Sequence, residues 1–297
     1  MTDEAVPGRP RSLPVVCAVA VVAVSAAAVL VRLAEGVHPV ALAFWRTAAV
    51  AGLLAPFAGR RLLRLSLRDV GLTALAGALL AAHFWAWFAS LALTSVLRST
   101  VLVTLAPIWA GLLEWLVLRD PPGRRFWVGI AVALPGVAVM SAGEGLGEGR
   151  LAGDALALLG GLFTAGYYLA GRSVRQRADI ATYGAGVCGS AALCLALVAV
   201  CLGAGSLGSP LVDLPAAAWP VIAAMAFGPQ LLGHIGFNWA VRWLPASLVS
   251  GIILLEPVGA TILAALVLAE LPSAVALVGG AFVVAGVGFI LMPSNPH

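Results

Sequence analysis

The chain has 297 residues, of which 62% are hydrophobic and 10% charged, with a mean hydropathy of +1.04 and a net charge of +4. Soluble domains carry about 25% charged residues, so this composition excludes an ordinary water-soluble fold and reads as a polytopic membrane protein. All 17 basic residues are arginine, and without lysine the chain has neither a Walker A phosphate loop nor a Schiff-base nucleophile.

Residues 1–14 are polar, with Arg9 and Arg11, and lead into an apolar run over 15–31. A cleaved signal peptide is the alternative there, but the run is close to the ~20 residues that span a bilayer. Further runs long enough to span lie at 39–58, 70–92, 96–118, 126–142, 152–171, 180–202, 217–241, 246–269 and 273–292. None alternates as barrel strands do, and lipid admits only helices or closed barrels, so an all-α protein with ten transmembrane helices is expected. The four cysteines, Cys17, Cys188, Cys194 and Cys201, stand in apolar runs without CxxC or histidine spacing. They read as small apolar residues, and neither metal nor cofactor is expected.

Loop arginines set the orientation. With the N-terminus inside, 13 of the 17 fall in cytoplasmic segments, clustered at Arg60 to Arg68, Arg119 to Arg125 and Arg172 to Arg177. Both termini are therefore expected in the cytoplasm of a cell in whose inner or plasma membrane the chain sits.

The stretch from Leu105 to Val137 recurs from Leu255 to Val287 at a constant offset of 150 residues, keeping Pro107 over Pro257, Gly129 over Gly279 and Gly136 over Gly286. Such an offset marks a duplication. Five spans per copy is an odd number, so the two copies should be inserted upside down relative to each other, the inverted-repeat plan of many secondary transporters. The expected organisation is a cytoplasmic segment 1–14, a first repeat 15–142, an external linker 143–151, a second repeat 152–292 and a cytoplasmic tail 293–297.

Three strings carry a family resemblance: Phe44-Trp45-Arg46, LALTSVLRSTVLVTLAPIWAGLLEWLVLRD across the fourth span, and HIGFNWAVRWLPASLVSGIILLEPVGATILAALVLAE across the eighth and ninth. They resemble the EamA type of the drug/metabolite transporter superfamily over nearly the whole chain. The resemblance implies two EamA repeats of five helices and a central cavity lined by helices one, three, four, six, eight and nine. It names no solute, since members carry amino acids, sugars, nucleosides and drugs. Family repeats commonly close with Gly-Glu, whereas here Arg119-Asp120 and Ala269-Glu270 stand at those places. That acid reads as a helix-end device.

Polar residues inside spans are costly unless they face protein or a wet cavity, so they are the candidates for substrate binding or coupling. Thr100, Thr104, Pro107, Gly111 and Glu114 share one helical face. Pro107 and Pro257 each remove a backbone donor and are expected to kink their helices. His83 and His234 occupy nearly matching places in the two copies, and either could carry a proton or bond a neighbouring helix. Asn238 and Gln230 lie one turn either side of His234. Trp85, Trp87 and Trp109 could line a cavity, while Trp127, Trp219 and Trp243 sit near span ends as interfacial anchors. Of two arginines in the external halves of spans, Arg98 is the expected anion contact; Arg46 is assigned a structural role, because the resemblance leaves span two outside the cavity. Glu256, next to Pro257, is ~16 Å deep, where a carboxylate must be protonated, paired or wetted.

The expected function is secondary transport of a small organic metabolite or drug-like solute by alternating access, as an exporter, with possible proton coupling, a lipid bilayer as its surroundings, no nucleic acid, and a homodimer among the possible states. Two rivals stand beside it. A non-transporting scaffold would fill its centre with apolar side chains, and an intramembrane enzyme would need a motif such as GxSxG or HExxH, which the sequence lacks.

Overall fold

In the computed structural model the chain is described over residues 9–34, 36–91, 93–94, 99, 102–142, 151–203, 211–269 and 271–292. Among these residues the regular structure is helical. The helices are α1 (Leu13–Leu33), α2 (Pro39–Ala58), α3 (Leu67–Leu91), α4 (Ala106–Leu118), α5 (Arg124–Ala142), α6 (Leu151–Arg175), α7 (Ile180–Gly203), α8 (Ala218–Ala240), α9 (Ala246–Leu268) and α10 (Ala274–Leu291). Seven of them, α1, α2, α3, α7, α8, α9 and α10, are long and apolar enough to cross a membrane by length and composition. The charged residues of the other three are Glu114 in α4, Arg124 and Arg125 at the start of α5, and Asp154, Arg172 and Arg175 in α6. Large apolar side chains such as Val22, Phe57, Leu193 and Leu266 are more than half exposed on the outer faces, as they must be where the surrounding solvent is lipid.

Helix ends follow local chemistry. Pro39 starts α2, with the His38 ring accepting from the Val40 N–H, and the Ser273 hydroxyl caps α10 by accepting from Ala276. Asp179 caps α7 through the Thr182 N–H and hydroxyl. Burial pushes the Asp179 carboxyl up, but these two bonds and Arg61 outweigh it and hold the group below the ordinary carboxylate range. At the far ends of α4 and α9, Arg119 and Ala269 take left-handed conformations with φ of 56° and 57°. These are the two places where the EamA resemblance has glycine, the residue that pays no steric penalty there.

The packing has a two-fold pattern. Helix α5 lies against α10, α2 against α7 and α4 against α9; α1 packs on α8 and α9 as α6 packs on α3 and α4. Exchanging each helix with the one five places along returns the same set of pairs. The α5–α10 crossing brings backbone against backbone. A Cβ placed on Gly129 or Gly136 would sit 2.6 Å from the carbonyl oxygen of Gly286 or Gly279, and the two partners are blocked reciprocally. As 129 rises to 136 its partner falls from 286 to 279, so the two helices run antiparallel. Small residues let backbones approach in this way without any hydrophobic driving force.

Candidate functional site

Between the two sets of helices lies a cavity of about 160 Å³, walled by α1, α2, α3, α6, α8, the break that leads into α4 and the broken middle of α9. Cavities near 150 Å³ hold a single aromatic ring. Both breaks fall two and three residues ahead of the aligned prolines. In α4 the Leu105 N–H turns back to the Leu102 carbonyl at 3.3 Å, and in α9 the Leu255 N–H turns back to the Ile252 carbonyl at 3.1 Å, bonds that are 150 residues apart in both donor and acceptor. Neither Pro107 nor Pro257 has an N–H to give, so the carbonyls of Val103 and Ile253 lose their usual helical partners. Gly161 of α6 lets α4 close on this point, since a Cβ there would lie 2.9 Å from the Val103 oxygen.

Aromatic rings organise the side of the cavity made by α3. His83 stacks on Trp87, with ring centres 6.4 Å apart and planes within 4°. Its Nδ1 lies 3.0 Å from the Gly160 carbonyl and 2.7 Å from the Thr164 hydroxyl, which itself donates to Gly160. With Nδ1–H donating, the ring's other nitrogen is left as an acceptor. Phe84 stands between the two histidines, its ring 5.2 Å from that of His83 and 5.6 Å, edge to face, from that of His234. Both histidines therefore line one shared cavity.

Phe84 also carries the Arg46 guanidinium 4.5 Å above its face, and the Gln230 amide oxygen accepts from Arg46 Nε at 2.9 Å. Arg46 is 1% exposed and lines the cavity from α2. The expectation that span two stays outside the cavity is corrected here. The reason is reach: α2 stands behind the ring of cavity helices, but the long arginine side chain passes between α3 and α8. Gln230, which fixes it, lies in a π-helical stretch of α8, Ala226–Ile235, that also holds Pro229 and His234. Wide turns of this kind concentrate at functional sites.

Of the other sequence candidates, Trp87, Thr104, Pro107, Glu256 and Pro257 line the cavity. Glu256 makes no side-chain hydrogen bond among the described residues; its backbone carbonyl accepts from Ser25 of α1 at 3.2 Å. Arg98 and Thr100 lie outside the described residues. Asn238 stands behind the wall, where its amide donates to the Tyr167 hydroxyl and, at 2.7 Å, to the His234 carbonyl. Trp85 is 41% exposed, pointing away from the cavity. Residues the sequence did not single out also line the space: Tyr168 and Thr164 of α6, Phe84, and Ser250 of α9.

Glu114 is placed elsewhere. It is 1% exposed at the far end of α4, where Arg172 of α6 donates to it at 2.7 Å, the Ala246 N–H at 2.6 Å, and the Ser247 hydroxyl closes the set. A carboxylate bonded to the first N–H group of α9 and to the hydroxyl of the next residue is a helix cap supplied from another helix. The correction follows from depth, since Glu114 stands four residues before the end of its helix and some turns from the breaks that shape the cavity.

Among the residues that line the cavity, several buried polar atoms have no hydrogen-bond partner among the described residues: Arg46 Nη2, Trp87 Nε1, His234 Nδ1 and Ser250 Oγ. Buried polar groups are nearly always bonded, so such a cluster points to groups that a solute would satisfy.

No curated protein sequence matches the chain. The fold has known counterparts: one solved structure, titled only as the crystal structure of a protein, superposes with a TM-score of 0.78 over 95% of this chain and 97% of its own, at 20% identity. The sequence profile of the EamA-like transporter family matches twice, over residues 13–142 and 151–292, one match to each half of the duplication. The chain belongs to the EamA-like transporter family.

Proposed function

We propose that the protein is a secondary transporter that moves a small organic solute out of the cell by alternating access, with ten membrane spans arranged as two inverted five-helix repeats. The observation that carries this reading is the cavity itself. It is closed by both repeats, sits where α4 and α9 break, and bears His83, His234, Arg46 and Glu256 on a largely apolar wall. A scaffold gains nothing from burying four ionisable side chains, each of which costs free energy in a bilayer. The exchange symmetry of the helix pairs and the antiparallel α5–α10 crossing support the inverted arrangement. Alternating access then follows as rocking of one repeat against the other about the site.

Glu256 is assigned the coupling role. A carboxyl group at mid-membrane that has no fixed donor can take up a proton when the cavity faces one side and release it on the other. Purified protein in vesicles should move solute faster when a pH gradient is imposed, and Glu256→Gln should lose this acceleration while retaining solute exchange. Full pH-driven movement in the variant would refute the coupling role. For the inverted arrangement, cysteines introduced at positions 64 and 148 are expected to be labelled from the cytoplasmic and external sides respectively, and reaction of position 64 from outside would reverse the topology.

A further inference from the structure

The pairing of charges inside the cavity is lopsided. Arg46 cannot give up its proton at any physiological pH, and it is held in place by Gln230 and by the face of Phe84, yet Nη2 has no acceptor among the described residues. Glu256 faces the same space but no hydrogen bond or ion pair joins it to Arg46. It is also the one partner that can neutralise itself, by binding a proton. The remaining unpartnered atoms lean the same way: Trp87 Nε1 can only donate, and the Ser250 hydroxyl and the His234 ring can both donate. The same wall also carries acceptors, the second His83 ring nitrogen, the Glu256 carboxyl and the carbonyls of Val103 and Ile253, but its fixed charge is a cation with unpartnered donors beside it, a setting that suits an anion with several acceptor oxygens.

We propose that the solute carries a carboxylate and that Arg46 is the residue that receives it, through Nη2, with Ser250 and Trp87 as flanking donors. The inference rests on the transporter reading of the cavity and narrows its substrate to organic carboxylates whose body is about the size of one ring. His83, Trp87 and Phe84 offer the flat surfaces against which that body would lie. Gln230 is then a positioning residue, which turns the guanidinium fork toward the solute.

Full-length protein in nanodiscs is titrated with radiolabelled benzoate, against protein-free nanodiscs, and the label is competed with benzylamine and with benzyl alcohol. These three share one ring and differ in the charge of the substituent. Saturable benzoate binding that neither competitor displaces at equal concentration is expected, and Arg46→Gln should weaken it about tenfold or more, the cost of a lost charge-assisted bond. Arg46→Lys, which keeps the charge and loses the fork, should fall between, and Ser250→Ala should weaken binding by a smaller factor. If Arg46→Gln does not reach the folded state, the order of the three ligands on the wild-type protein and the Lys variant decide the matter. Benzylamine or benzyl alcohol displacing the label as well as benzoate does, absence of saturable benzoate binding, or unchanged binding in the Arg46 variants would each overturn the proposal. Binding and flux separate the two readings: benzoate bound in the expected order but not moved across vesicles refutes transport and leaves the site, whereas movement of the amine alone refutes the site and leaves transport.

Discussion

Glu114 and Glu256 are both acids within apolar helices, the fourth and ninth of a duplicated protein, and their surroundings are opposite. Glu114 has Arg172, the Ala246 N–H and the Ser247 hydroxyl, and it ties α4 to α6 and α9. Glu256 has no side-chain hydrogen bond among the described residues and looks into a space shared with Arg46 and two histidines. Burial alone therefore says little about what an intramembrane charge does. The completeness of its bonding does, because a fully bonded carboxylate has nothing left to offer a solute.

The contrast is open to test at several points. Glu114→Ala should cost the most, about 3 kcal/mol, because it leaves the Arg172 guanidinium only its looser pairing with the exposed Asp120 at 3.7 Å and uncaps α9 as well; reversible unfolding in mixed micelles measures it. Removing Arg172 as well should recover part of that loss, since no buried charge is then left unpaired, and a double variant worse than Glu114→Ala alone would show that the cluster is not a pair. Glu256→Gln should change stability by less than about 1 kcal/mol under the same assay, because no fixed bond is broken. His83→Ala and His234→Ala should likewise leave the amount of protein in the membrane unchanged but impair transport, and normal transport in both would return the pair to simple packing. The smallest effect is expected at the helix ends: Ala269→Gly should stabilise by about 0.5 to 1 kcal/mol, because its φ of 57° is strained for any residue with a Cβ.

Much of the fold was legible because it is written twice. The offset of 150 residues aligned Pro107 with Pro257, and the structure breaks α4 and α9 at matching bonds just ahead of them. The histidine pair, Trp87, Thr104 and Glu256 could be picked out by polarity in apolar runs, and they do line one cavity. That span two reaches the cavity was not legible, because helix position does not fix side-chain position and the long Arg46 side chain extends past its own helix to Phe84 and Gln230. Glu114 shared a helical face with Thr104 and Pro107, but a face runs the length of a helix while the cavity occupies only part of it. What separates Glu114 is contact with Arg172 and Ala246, partners 58 and 132 residues away that no local pattern brings together.

The glycine crossing of α5 and α10 has a consequence for how the two halves can change. Gly129 on Gly286 and Gly136 on Gly279 are the contacts that two copies of a single helix make across a two-fold axis, an isologous interface in which each residue type serves on both sides. In a dimer of identical half-length chains, two glycine codons would guarantee all four positions. In the fused chain the four are inherited separately, so a substitution at one is not echoed at its counterpart and must be accommodated across the axis by a backbone that has not altered. The rest of the halves are free to drift apart, as Asp120 and Glu270 or the unequal fates of Glu114 and Ala264 already show, while this crossing is held to its original symmetry by sterics alone.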